Sequence, residues 1–215
     1  KKIQMDLIKK LYAKNMVWLS NSEQNKYIDY DLKIISVKNF YNVNFLQRRK
    51  INASLEKNHM DWLTREDRDY KIFNFPLKLD HTLFFQEVHE KFLELCREYF
   101  GDFKILEDKK YPYCYRSKRD DFRSVLHDHV ATSTVSGVYY YQIKGKDGIV
   151  FKDNKSREYI QLREYNPQQG ELLLFPSNLV HKPVVTKSRG IRYSFNLEIQ
   201  TEESTEELFK NYELS

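Results

Sequence analysis

Apolar positions recur along this chain at two different periods, and the change falls near Gly101. Before it, the clearest run is Thr82–Phe100, where Leu83, Phe84, Val88, Phe92, Leu95, Cys96 and Tyr99 return at three- and four-residue steps. Such steps gather apolar side chains on one helical face, and Gly101 supplies a stop. Residues 4–19 carry a second helical pattern in Met5, Ile8, Tyr12, Met16 and Leu19, whereas Tyr30–Val37 reads as a strand.

Beyond Gly101 the runs become short. Phe103–Leu106, Tyr111–Arg116, Phe122–His127, Val135–Ile143, Gly148–Lys152, Tyr159–Arg163, Glu171–Phe175, Val180–Val185 and Ile191–Gln200 read as strands. Turn residues separate many of them, as in Gly145-Lys-Asp-Gly148, Pro176-Ser-Asn178 and Ser188-Arg-Gly190. Many short strands at close spacing predict a sandwich or barrel, and Thr205–Tyr212 predicts a closing helix. No repeat, low-complexity tract or Pro/Gly-rich linker interrupts the chain. The expectation is a single α+β, mainly β domain over residues 1–215. It would have a mixed helical part over 1–101, a β core over 102–200 and a tail or short helix over 201–215.

Composition narrows the function. A formal net charge of +5 on 215 residues is small and scattered. Arg48-Arg49-Lys50 and Lys109-Lys110 read as solvated faces, so nucleic acid is not indicated. Cys96 and Cys114 lack any C-x-x-C spacing, which argues against a disulfide framework or zinc knuckle and for a reduced, cytoplasmic setting. The stretch from Lys1 has no apolar segment of signal-peptide length, and no window approaches a membrane span.

The chemistry concentrates in Ser124-Val-Leu-His127-Asp128-His129, in Gly170-Glu-Leu-Leu-Leu-Phe-Pro-Ser-Asn-Leu-Val-His181, and in Arg192. On an extended strand, residues one apart share a face. His127 and His129 can therefore grip one metal ion while Asp128 points away. If the strand ends at His127, Asp128 becomes an alternative ligand in a two-histidine, one-carboxylate triad. His181 follows a Phe-Pro-Ser turn and can return to the same point. Imidazole suits iron, zinc, copper or nickel, so ligand type does not name the ion. His59, His81 and His89 have no partner at ligand spacing and read as ordinary helix or loop residues.

In Arg192-Tyr-Ser-Phe-Asn-Leu-Glu, alternation sets Arg192, Ser194 and Asn196 on one face and Tyr193, Phe195 and Leu197 on the other. The polar face either meets water or lines a pocket whose Arg192 fork matches a carboxylate. Arg189, beside Gly190 in a turn, reads as facing water. In Ser136-Gly-Val-Tyr-Tyr-Tyr141, Tyr140 shares a face with Ser136, Val138 and Gln142, where its phenol could bind the same carboxylate. Gly137 in mid-strand marks a bulge or a close backbone approach.

These residues resemble the iron(II)- and 2-oxoglutarate-dependent dioxygenase superfamily. Within it, the sequence is similar to a branch carrying H-x-H-P, then S-G-V-Y-Y, then G-x-L-x-x-F-P-S before the last histidine. The likeness runs from His127 to Asn196. It departs from the branch at Val130, which stands where proline is usual, and from most of the superfamily at His129, which stands where a carboxylate is usual.

The resemblance implies a double-stranded β-helix (jelly-roll, cupin-like) core with N-terminal buttressing helices. It implies Fe(II) on His127, His129 and His181, with 2-oxoglutarate as cosubstrate held by Arg192 and Tyr140, and Ser194 and Asn196 beside them. The implied reaction consumes molecular oxygen, hydroxylates a C–H bond of a small-molecule or peptidyl substrate, and releases succinate and CO2. Two rivals stay open: a three-histidine cupin-like dioxygenase that does not use 2-oxoglutarate, and a non-catalytic jelly-roll binding protein.

Overall fold

The computed structural model describes residues 26–63, 75–78, 83–108, 113–118, 125–145, 147–153, 161–184 and 188–211. In chain order it forms β1 (Lys26–Asp29), β2 (Ile34–Val37), α1 (Phe45–Leu63), β3 (Phe75–Lys78), α2 (Leu83–Phe100), β4 (Ile105–Asp108) and β5 (Tyr113–Ser117). There follow β6 (Val135–Gln142), β7 (Ile149–Asp153), β8 (Gln161–Tyr165), β9 (Leu172–Pro176), β10 (His181–Pro183), β11 (Arg192–Thr201) and α3 (Thr205–Asn211).

Two antiparallel sheets organise these strands into a jelly-roll-like core. The larger runs β1-β2-β9-β6-β11-β5-β3, with β4 also pairing β11; the smaller runs β10-β7-β8. An isolated bridge between His127 and His181 adds one more rung to the edge of the smaller sheet.

Period-two alternation splits the apolar residues into two cores. Facing the helices, Tyr139, Tyr141, Phe195 and Leu197 of the larger sheet pack with Phe84, Phe85, Val88 and Phe92 of α2 and Leu55 of α1. Between the sheets, Ile34, Val138, Tyr140, Leu173 and Phe175 meet Ile149 and Phe151 of the smaller sheet. Gly137 lies where α2 runs flush against β6: a Cβ there would stand 2.9 Å from the Phe92 ring.

The helix ends follow their local chemistry. Asn44 and Gln47 cap α1 reciprocally, the Gln47 N–H donating to Asn44 Oδ1 (2.9 Å) and the Asn44 N–H to Gln47 Oε1 (3.1 Å). Ser204 and Glu207 do the same for α3. Gly101, at φ 72°, closes α2 in the left-handed conformation expected of it.

Several expectations need correction. Tyr30–Val37 is not one strand: residues 30–33 turn the chain between β1 and β2, with Lys33 at φ 57°. Asp29 Oδ1 drives that turn by accepting the N–H groups of Asp31 and Leu32, at 3.0 and 3.1 Å. The strand expected over Phe122–His127 is reduced, among its described residues, to the single bridge at His127. The helix α1 was not anticipated at all. The helical pattern at 4–19 lies outside the described residues. No helix among the described residues is long and apolar enough to cross a membrane.

A candidate metal centre and its cavity

The backbone brings the three histidines together before any side chain acts. The His127 N–H donates to the His181 carbonyl at 3.0 Å, and the His181 N–H donates back to His127 at 2.9 Å. The His129 N–H donates to the Ser177 carbonyl at 2.8 Å, pinning the chain to the turn after β9. The His129 carbonyl then accepts the N–H groups of Thr132 and Ser133, both at 2.9 Å, so the chain turns away from the site directly afterwards.

The rings converge on that frame. One nitrogen from each of His127, His129 and His181 lies within 4.8 Å of the others, and His129 Nε2 stands 3.3 Å from His181 Nε2. Every Nδ1 is occupied on its far side. That of His127 faces the Val125 carbonyl at 2.8 Å, that of His181 the Leu179 carbonyl at 2.8 Å, and that of His129 the Glu198 carboxylate at 2.9 Å. With each Nδ1–H donating outward, the Nε2 lone pairs are left to point inward, the usual arrangement of metal-ligating histidines. Burial lowers the His181 imidazole to about 3, opposed by its bond to Leu179 and aided by the neighbouring His127 and His129. It is therefore neutral near pH 7, the state in which imidazole binds metal. Three borderline nitrogen donors fit iron(II) as well as other first-row ions.

Asp128 stands apart. It is exposed, and its Oδ1 accepts the Val130 N–H at 3.3 Å. The ligand atoms that cluster among the described residues are those of the histidines. His59 and His89 lie on α1 and α2, buried among helix-side residues and outside the cluster.

A cavity of about 260 Å³ opens beside the rings and is lined in part by His127, His181, Tyr140, Arg192, Ser194 and Asn196. β11 delivers the last three on one face, while Tyr193, Phe195 and Leu197 turn to the helices. Arg192 is only 3% exposed. Its Nε donates to Ser117 Oγ at 2.9 Å, and its Nη1 donates to the carbonyls of Asp147 (2.7 Å), Gly148 (3.2 Å) and Val184 (3.3 Å). Those contacts aim the guanidinium across the sandwich and lock its orientation. Arg189 is exposed, as expected.

Burial pushes the Tyr140 phenol well above its ordinary range, a shift that the nearby Arg192 charge opposes, so it stays a hydrogen-bond donor. Tyr115, on β5 opposite Ser194, also lines the cavity and was not foreseen. Nor was Glu198. Both sit on the cavity side of the larger sheet, and continuing the Arg192–Asn196 alternation by one step would have placed Glu198 there.

No protein-family model matches the sequence, and no curated protein is significantly similar to it. Solved structures do share the architecture. A non-heme alpha-ketoglutarate-dependent carbocyclase, SnoK from nogalamycin biosynthesis, superposes with a TM-score of 0.57 at 8% identity, over 79% of this chain and 80% of that one. EvdMO1 gives 0.55 at 10% identity over 79% of this chain and 47% of its own. HygX from Streptomyces hygroscopicus, solved with nickel and 2-oxoglutarate bound, gives 0.52 at 13% identity over 81% and 85%. At such identities the likeness is one of fold.

Proposed function

We propose that this protein is an Fe(II)- and 2-oxoglutarate-dependent dioxygenase, built on a double-stranded β-helix within a single domain. In this reading it hydroxylates a C–H bond of a small-molecule or peptidyl substrate in the cytoplasm and releases succinate and CO2. The observation that carries the reading is the pairing of a three-imidazole cluster with a buried guanidinium on one small cavity. Such a pairing suits a short dicarboxylate that chelates at one end and is ion-paired at the other. The architecture shared with SnoK and HygX supports the same reading.

The geometry supports a role for each residue. His127, His129 and His181 would hold the metal through their converging ring nitrogens. Iron supplies the activation of oxygen; the protein supplies orientation and exclusion of water. Arg192, oriented by Ser117 and by carbonyls of the β7 and β10 segments, receives the distal carboxylate as its permanently charged partner. Tyr140 donates a second hydrogen bond to it, and Ser194 and Asn196 form the polar wall alongside. Val138 and Ile149 supply apolar wall that keeps the pocket dry.

At about 260 Å³ the cavity lies just below the roughly 300–1,000 Å³ usual for ligand pockets, room for the cosubstrate and little else. The substrate proper therefore docks at the mouth, beside exposed His127 and Val125, the latter 80% exposed. Incubating the protein with iron(II), 2-oxoglutarate, oxygen and ascorbate, the reductant that takes the place of the substrate in closing each turnover, tests the reading. Succinate should form with wild-type protein and not with His181→Ala. A protein that binds iron tightly yet forms no succinate belongs to the 2-oxoglutarate-independent class instead.

A further inference from the structure

The three histidines are not backed alike. Neutral backbone carbonyls accept from His127 and His181, whereas His129 donates to a carboxylate. Glu198 is 7% exposed and sits on β11, two residues beyond Asn196 on the cavity-facing side. Its Oε1 stands 2.9 Å from His129 Nδ1, the distance of a charge-assisted hydrogen bond. The His129–Glu198 pair is held in place from both sides. The Ser177 carbonyl fixes the His129 backbone, and the Thr134 N–H donates to the Ile199 carbonyl at 2.8 Å, next to Glu198.

A two-histidine, one-carboxylate site puts one negative charge on its metal, and three neutral imidazoles put none. We infer that Glu198 is the positioning residue that restores this charge: it fixes the His129 tautomer and places a carboxylate one imidazole away from the metal. The residue it backs is the one standing where the resemblance places a carboxylate ligand. Asp128, exposed and turned to the Val130 N–H, does not supply that charge. A carboxylate behind an imidazole raises its basicity and holds its ring plane, an effect worth roughly 10- to 100-fold in metal affinity where such partners have been removed.

This inference rests on the metal-centre reading and is tested with cobalt(II) alone, titrated into chelator-stripped protein against a chromophoric competitor. Wild type should bind one equivalent, and His181→Ala should not. Glu198→Gln keeps an oxygen that can accept from His129 but removes the charge. It should weaken cobalt affinity about tenfold and shift the visible bands, while the metal-free protein melts within a few degrees of wild type. Glu198→Ala should weaken binding at least as much. In a His129→Asp background the carboxylate is itself a ligand, so adding Glu198→Gln should change affinity less than about twofold. Equal losses in the two backgrounds, or an unchanged affinity and spectrum for Glu198→Gln in the wild-type background, would overturn the role of Glu198. If wild type takes up no cobalt, or His181→Ala binds as well as wild type, the metal centre itself is refuted and Glu198 with it.

Discussion

β11 carries two different kinds of surface on one backbone. Tyr193, Phe195, Leu197 and Ile199 face α1 and α2 within a dense aromatic core, where Phe195 stacks against Tyr139 and meets Phe84 and Phe85 edge-on or tilted. Arg192, Ser194, Asn196 and Glu198 face the other way, towards the cavity and the histidines. Phe195, Leu197 and Ile199 of the first set answer mainly to apolar volume, while Tyr193 adds a hydroxyl that donates to Glu56 and accepts from Arg116. In the second set, Arg192 and Glu198 each meet specific atoms, and Ser194 and Asn196 line the cavity between them. Stability and chemistry are thus separated by a single residue step, and a slip of one position would exchange them.

That division can be broken deliberately, starting from the helix-facing side. Phe195→Ala removes a fully buried ring and should cost roughly 3–5 kcal/mol in urea unfolding. Metal stoichiometry of the remaining folded protein should not change; a lost site would mean that the two faces are coupled. His181→Ala should reverse the pattern. Cobalt or iron affinity, read by competition with a chelator, should fall by at least about a hundredfold (about 2.7 kcal/mol), with the fold retained by circular dichroism.

Arg192→Lys keeps a charge but loses the planar guanidinium that Ser117 and the Asp147, Gly148 and Val184 carbonyls orient, so 2-oxoglutarate affinity measured calorimetrically on metal-loaded protein should weaken by about tenfold with metal content intact. An unchanged affinity would hand the anchoring role to another residue. The gentlest test is acid. Because the folded pKa of His181, about 3, lies below the ordinary 6.5, the unfolded chain takes up a proton that the folded chain refuses. The stability this contributes is complete above pH 6.5 and is lost as pH falls towards 3. Urea midpoints of metal-free protein from pH 7 to 4 should decline accordingly, with a shallower slope for His181→Gln.

Much of this was legible in the sequence, for physical reasons that also mark where legibility stops. β6, β7, β9, β10 and β11 fall within one or two residues of their predicted runs because alternation and Gly/Pro/Asn turns both constrain them. Arg192 could be assigned a face from its neighbours alone. By contrast, α1 buries a narrow stripe, Ile51, Leu55 and His59, among charged residues all round, so its apolar period is faint. Its one clear signal was Asn44-Phe-Leu-Gln47, a reciprocal cap. The turn at residues 30–33 was hidden because it contains neither Gly nor Pro; Asp29 and Asp31 were the cue. Tyr115 and Glu198 owe their significance to partners distant along the chain, and no local pattern encodes such a meeting.

The reciprocal backbone bonds between His127 and His181 carry a consequence of their own. His129 and His181 are 52 positions apart, and backbone hydrogen bonds of the sheet hold that loop closed at the site. A metal arriving here inherits a finished socket, unlike the ion of a zinc finger, which must organise its own chain. Chelators should accordingly empty the protein without denaturing it, and reloading should be limited by diffusion and ligand exchange, not by refolding.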